Sequence, residues 1–124
     1  SDHEQKGCRL AQQMLPAFGF SAMQVQSVCG MILATRIPQN PKTLLERIIC
    51  DADLDYLGRD DFYTTGRKLF DELLALGKLE NEREWNQMQQ SFLESHHYHT
   101  DYSRTMREGK KQQHLQEISA SLRK

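Results

Sequence analysis

Apolar residues recur every three or four positions along most of the chain, which is the spacing of one face of an α-helix. The first such segment runs from His3 to Leu15 and is stopped by Pro16. A second opens with SAMQ, in which Ser21 and Gln24 match the Ser-x-x-Gln capping box that begins many helices. Behind it, one predicted helical face carries Val25, Val28, Cys29 and Ile32.

A second capping box, TLLE at Thr43–Glu46, begins a third predicted helix. Its apolar stripe consists of Leu44, Leu45, Ile48, Ile49, Ala52 and Tyr56. The pattern therefore predicts that the segment IICDADLDYLG is the later half of this helix, ended by Gly58, and not a strand. At about 100° per residue, Asp53 falls on one border of the stripe, and Asp51 and Asp55 fall on the other.

Three more helices complete the pattern. Asp60 or Asp61 can cap the next one, which ends at Gly77, and Asn81 precedes another that carries Trp85, Met88, Phe92 and His96 one turn apart. The last runs from about Ser103 to Leu122. Because no four-residue run alternates convincingly, the sequence predicts an all-α bundle of about six helices.

Length and charge narrow the possible functions. The 124 residues suffice for one domain with its own core, which we expect to span residues 1–124. Sixteen basic and seventeen acidic residues leave a net charge of −1, which argues against a dedicated DNA-, RNA- or membrane-binding protein. No window is long and apolar enough to cross a bilayer.

The three cysteines, Cys8, Cys29 and Cys50, are odd in number and too widely spaced for a zinc knuckle. Each lies in an apolar context, so we predict three reduced core thiols. Reduced thiols imply a reducing compartment, and hence a cytoplasmic protein.

The aspartates beside the apolar stripe need partners, because an unpaired buried charge is costly. One interpretation is structural: they pair with Arg47, Arg59 or Arg67, or cap the following helix. The other is that one of them binds a metal ion. Periodicity alone does not distinguish these alternatives.

Two motifs resemble the HD superfamily of metal-dependent phosphohydrolases. Ala52-Asp53-Leu54, within DADLDYLG, is similar to the last metal-ligand motif of that superfamily. HEQKGCRLAQQML matches the pattern His-x-x-x-Gly/Ser-x-x-x-Ala-x-x-x-Leu that opens a helix in many members. FLESHHYHT, followed by a basic helix, looks like one bacterial subgroup. The chain has no His-Asp doublet, so we expect an N-terminally truncated domain, and ATRIPQNP differs from the branch that cleaves cyclic dinucleotides.

The resemblance implies a divalent or transition metal ion (Mn, Fe, Ni, Co, Zn or Mg) that activates water for attack on a phosphoester or phosphoanhydride. It implies that Asp53 is a metal ligand, that His3 is a ligand or a general acid/base, and that Asp51 orients an imidazole. The expected substrate is a small phosphorylated metabolite or a nucleotide.

A phosphate substrate also needs cations. One face of the last predicted helix carries Arg104, Arg107, Lys111 and His114. These residues, with Arg36 and His96, are the candidates for binding phosphate. The alternative is that Gly109 bends the helix and leaves the basic run solvated, while His96, His97 and His99 form a surface or capping cluster.

Two other functions remain open. The chain could be a catalytically silent HD-like regulatory or interaction module of a signalling protein. In either case, a homo-oligomer is possible. It could also be an unrelated helical bundle whose DAD segment only pairs with arginines. With at most two of the usual four ligands, the chain is expected to retain metal weakly or not at all.

Overall fold

The computed structural model describes residues 3–124. Among these residues, the regular elements are all helices and no strand occurs. The prediction of an all-α protein with about six helices is confirmed. The α-helices are α1 (His3–Met14), α2 (Ala22–Ala34), α3 (Leu44–Asp53), α4 (Phe62–Ala75), α5 (Glu82–Ser95) and α6 (Asp101–Leu122). Within the described range, no helix combines the length and hydropathy that a bilayer span requires.

The helices form two compact units, one that ends at Asp53 and one that begins at Leu54. In the first unit, α1 packs on α2 around a small core of Ala11, Val25 and Cys29. The predicted capping box is present: Ser21 Oγ accepts from the Gln24 N–H at 3.1 Å, and Gln24 Oε1 accepts from the Ser21 N–H at 2.8 Å. These two bonds fix the residue at which α2 begins.

The orientation of α3 differs from the prediction. Its apolar stripe faces outward, with Leu44, Leu45, Ile48 and Ile49 between 37% and 60% exposed. The buried side is instead formed by Cys50 and Asp51. The Cys50 thiol donates to the carbonyl of Ala34 at 3.1 Å, so two small residues let α3 approach α2 closely.

The helix is also shorter than predicted, because α3 ends at Asp53 and a single 3₁₀ turn follows at Asp55–Gly58. Leu54 leaves the helical region, with φ −115° and ψ 21°. Its carbonyl accepts a hydrogen bond from the Tyr98 hydroxyl at 3.0 Å. The sequence IICDADLDYLG is therefore α-helical only as far as Asp53, and Leu54 belongs to the second unit.

The second unit has a core of Leu54, Leu57, Phe62, Leu93 and Ile118. Asn81 caps α5 as predicted, accepting from the Glu84 N–H at 2.9 Å, and α4 ends before Gly77, which has φ +71°. Asp61 precedes α4 but does not cap it, because its carboxylate binds Arg59.

Two cysteines are not the reduced thiols that the sequence predicts. Cys8 and Cys29 form a disulfide that joins α1 to α2, with their Cα atoms 4.8 Å apart. That separation lies within the range that a disulfide bridges without backbone movement. Cys50 is the free thiol, and it is fully buried. The prediction was wrong for two of the three, and the inference of a reducing compartment loses its basis.

Candidate active site

The centre of the candidate site in the first unit is Glu4, which is only 6% exposed. Glu4, Cys8 and Ala11 share one face of α1, so the same face that builds the core also buries this carboxylate. His3 Nε2 lies 2.5 Å from Glu4 Oε2, and Arg36 Nε lies 3.7 Å from Glu4 Oε1. The buried acid is therefore held between an imidazole and a guanidinium.

Asp53, at the last position of α3, lies within electrostatic reach of the start of α1. Desolvation raises the pKa of its carboxyl, the charge of Glu4 raises it further, and His3 acts in the opposite direction. Asp53 is nevertheless exposed, so solvent or a ligand can reach its carboxylate. Asp53 therefore lies within electrostatic reach of both His3 and Glu4.

Asp51 occupies the other side of the helix. Two residues correspond to about 200° around an α-helix, so Asp51 and Asp53 point to opposite sides of α3. Asp51 is 3% exposed, whereas Asp53 is not buried. Burial, followed by the charges of Asp53, Asp51 and Glu46, raises the pKa of the Cys50 thiol to about 11. This side of α3 is the protein interior, and the thiol there is protonated at neutral pH.

The donor chemistry suits a divalent cation only in part. The two carboxylates of Glu4 and Asp53 repel each other, and the imidazole of His3 is beside them; mixed nitrogen and oxygen donors fit Mn, Fe, Co, Ni or Zn. From His3 onward, however, no three His, Cys, Asp or Glu side chains are arranged as a metal-ligand set. The described residues provide an anionic corner with imidazole, and not a closed metal site.

The other predicted phosphate ligands belong to the second unit, and each has its own partner there. Arg107 Nε binds Asp55 Oδ1 at 2.8 Å, and Arg104 binds Asp101 at 2.8 Å. Gly109 lies within α6, which continues to Leu122, so the helix is not broken at the glycine.

Lys111 is only 1% exposed and is the centre of a buried polar network, which we call the Lys111 network. Its ammonium donates to the carbonyl of His96 at 2.9 Å and lies 3.2 Å from His96 Nδ1. It also pairs with Glu108 at 3.0 Å and lies 5.2 Å from the centre of the Tyr98 ring. Lys111 and His96 therefore stabilise the interior of the second unit in this conformation.

His3, Arg36 and Asp53 were candidates from the sequence, whereas Glu4, which contacts both His3 and Arg36, was not. The signal was present in the helical spacing. Glu4 precedes Cys8 and Ala11 by four and seven positions, which places it on the apolar face of α1. A charged residue on an apolar face is informative, because such a residue is rarely buried without a partner.

Comparisons with known proteins add no relative. No protein-family model, no curated protein and no solved structure matches the chain. The function is therefore argued from the residues around Glu4 and from the two motifs in the sequence.

Proposed function

We propose that the chain is part of an HD-type, metal-dependent phosphohydrolase that cleaves a small phosphorylated metabolite or a nucleotide. The observation that supports the proposal is the grouping of Asp53 with His3 and Glu4. The two motifs that resemble the superfamily lie about 50 residues apart in the sequence, yet the pKa of Asp53 responds to the charges of His3 and Glu4. The proposal allows a homo-oligomer. It does not include the predicted cytoplasmic location, because that prediction was drawn from three reduced thiols and two of them form a disulfide.

In this proposal, Asp53 and His3 hold the cation, and Glu4 orients the His3 ring through the contact at Nε2. A divalent ion bound there would lower the pKa of a water and offset charge on phosphoryl oxygens. Arg36, whose guanidinium reaches the same acid, is the candidate for binding the substrate phosphate. Asp51 acts from the interior side, where it supports the position of α3.

A second candidate function is the catalytically silent HD-like regulatory or interaction module. It is favoured by the absence of a three-donor cluster among residues 3–124 and by the ion pairs that Glu4 already makes with His3 and Arg36. In this alternative the charged corner is a remnant of a site and only stabilises the contact between helices.

The two functions differ in metal affinity and turnover. Binding of Mn²⁺ and Co²⁺ is measured by titration calorimetry, and hydrolysis of p-nitrophenyl phosphate, its diester and nucleoside phosphates is measured with each metal. If the proposal is right, Asp53→Asn abolishes the weak metal binding and any metal-dependent turnover. Asp71→Asn, which removes an exposed carboxylate from α4, leaves both unchanged.

Absence of metal binding and of turnover in a folded protein would favour the silent module. Equal metal binding by wild type and Asp53→Asn would remove Asp53 from the site. Circular dichroism on each variant establishes that the helices are intact.

A further inference from the structure

The second unit contains a cleft of about 510 Å³ between α4, α5 and the C-terminal half of α6. This volume lies in the range of small-molecule sites, which are concave, mostly apolar in the floor and polar at a few positions. The cleft belongs entirely to the second unit and shares no residue with the candidate active site. It is therefore separate from that site.

The floor of the cleft is apolar and aromatic. Phe70 and Trp85 stack nearly parallel, with ring centroids 5.8 Å apart and planes inclined by 9°. Gly66 and the buried Ile118 also line the cleft, and a Cβ added to Gly66 would be 3.7 Å from Trp85 Cζ2. A flat apolar group is the natural complement of such a floor, because it would bury its faces against rings that are already fixed.

The rim of the cleft carries more negative than positive charge. Its two carboxylates are those of Glu82 and Glu117. The Tyr63 hydroxyl donates a hydrogen bond to Glu117 at 2.6 Å. This bond lowers the pKa of the Glu117 carboxyl and keeps it ionised. Arg67 is the cation of the lining: its guanidinium lies over the Phe70 ring, 5.4 Å from the ring centre, and its Nε lies 3.6 Å from Asp71. Its charge is therefore partly offset by Asp71.

We propose that this cleft binds a small organic cation that carries a flat apolar group, such as an arylalkylammonium. The ammonium would pair with Glu82 or Glu117, and the apolar group would lie on the floor formed by Gly66, Phe70 and Trp85. An anionic ligand of the same shape would meet two carboxylates.

Trp85 is the single tryptophan of the chain and lies in the floor, so its fluorescence reports the cleft directly. We expect phenethylammonium to change this fluorescence saturably at millimolar concentration and at neutral pH. The isosteric anion 3-phenylpropionate is expected to give no saturable change at the same concentrations. Raising the salt concentration should weaken the binding of the cation, because the carboxylates are exposed.

Three variants locate the site. Glu82→Gln combined with Glu117→Gln should weaken phenethylammonium binding by about two- to fivefold, which is the effect of losing one exposed ion pair. Glu72→Gln removes an exposed carboxylate of α4 outside the cleft and should leave the affinity unchanged. Gly66→Ala places a methyl group on the floor in ordinary contact with Trp85, so it should fold normally and bind more weakly.

The proposal fails if phenethylammonium causes no saturable change, or if 3-phenylpropionate binds as well. It also fails if Glu72→Gln weakens binding as much as the double variant, since the effect would then come from net charge and not from the cleft. Thermal unfolding of each variant shows that the second unit is folded. None of these outcomes depends on metal binding or on phosphate hydrolysis.

Discussion

Replacing Gly58 by alanine should destabilise the second unit strongly, because the 3₁₀ turn touches the backbone of α6 at this residue. A Cβ on Gly58 would lie 2.2 Å from the carbonyl oxygen of Arg107 and 2.8 Å from its carbonyl carbon. Both atoms are in the interior of a 22-residue helix, so they have little freedom to move away. The φ angle of Gly58 is not positive, so the requirement for glycine here comes from close approach alone.

The magnitude follows from the geometry. Adding one methyl group to a well-packed contact lowers the free energy of unfolding by about 1–3 kcal/mol. Because the neighbour of Gly58 is rigid backbone, we expect the upper end of this range, about 3 kcal/mol. The turn and α6 are also joined by the ion pair between Asp55 and Arg107 at 2.8 Å, which any separation would stretch. For a chain of this size, such a loss lowers the melting temperature by about 10 °C.

The assay is urea unfolding followed by the fluorescence of Trp85, which lies in the same unit, with circular dichroism as a second probe. Gly109→Ala is the matched control, because nothing lies within 4 Å of its added Cβ. At this exposed position in α6, alanine should stabilise by about 0.5–1 kcal/mol through helix propensity. If Gly58→Ala were as stable as the wild type, the contact between the turn and α6 would be wrong.

Three further predictions concern charge and the disulfide. Lys111→Met should lower the free energy of unfolding, measured in urea, by about 3 kcal/mol, because it leaves the carboxylate and carbonyl of the Lys111 network without their cation. Lys110→Met alters only an exposed ion pair and should have little effect. Reduction of Cys8–Cys29 by dithiothreitol should lower the free energy of unfolding by about 3 kcal/mol, since the bond closes a loop of about 21 residues. Asp53→Asn should raise stability at pH 7, because a carboxyl whose pKa is raised by folding favours the unfolded state once it ionises. That gain should shrink as the pH falls through the raised pKa, and an unchanged gain in acid would contradict the assignment.

The presence of the six α-helices was predictable from the sequence, because capping residues and apolar spacing are local signals. Ser21 and Asn81 cap the helices they were expected to begin. Thr43 does so in part: its hydroxyl accepts from the Glu46 N–H at 3.1 Å, but Glu46 turns to the N–H of Lys42. In each case a side-chain oxygen and a free N–H lie within four residues, so tertiary structure has little influence.

The orientation of α3 was not predictable from periodicity, because a stripe identifies a face but not what covers it. Leu44 and Ile48 form the more hydrophobic face and remain exposed, whereas Cys50 is fully buried. The end of the same helix was missed for a related reason. The Leu54 carbonyl has a partner 44 residues away in Tyr98, and no local pattern encodes that hydrogen bond.

The candidate site, unlike the orientation of α3, can be recognised from the sequence, because a charged residue there interrupts the apolar face of a helix. Glu4 is buried on the apolar face of α1, where a leucine would stabilise the core without needing cations. Asp53 lies within electrostatic reach of Glu4, and after desolvation the charge of Glu4 raises the pKa of the Asp53 carboxyl. The like-charge pair of Glu4 and Asp53 is unfavourable for Asp53, and a like-charge pair beside an imidazole is the arrangement that a bound cation would relieve. Positions at which a chain gives up stability without a structural gain are expected to be functional. We therefore propose the corner formed by Glu4, His3 and Asp53 as the functional centre of the first unit on the ground of its charges alone.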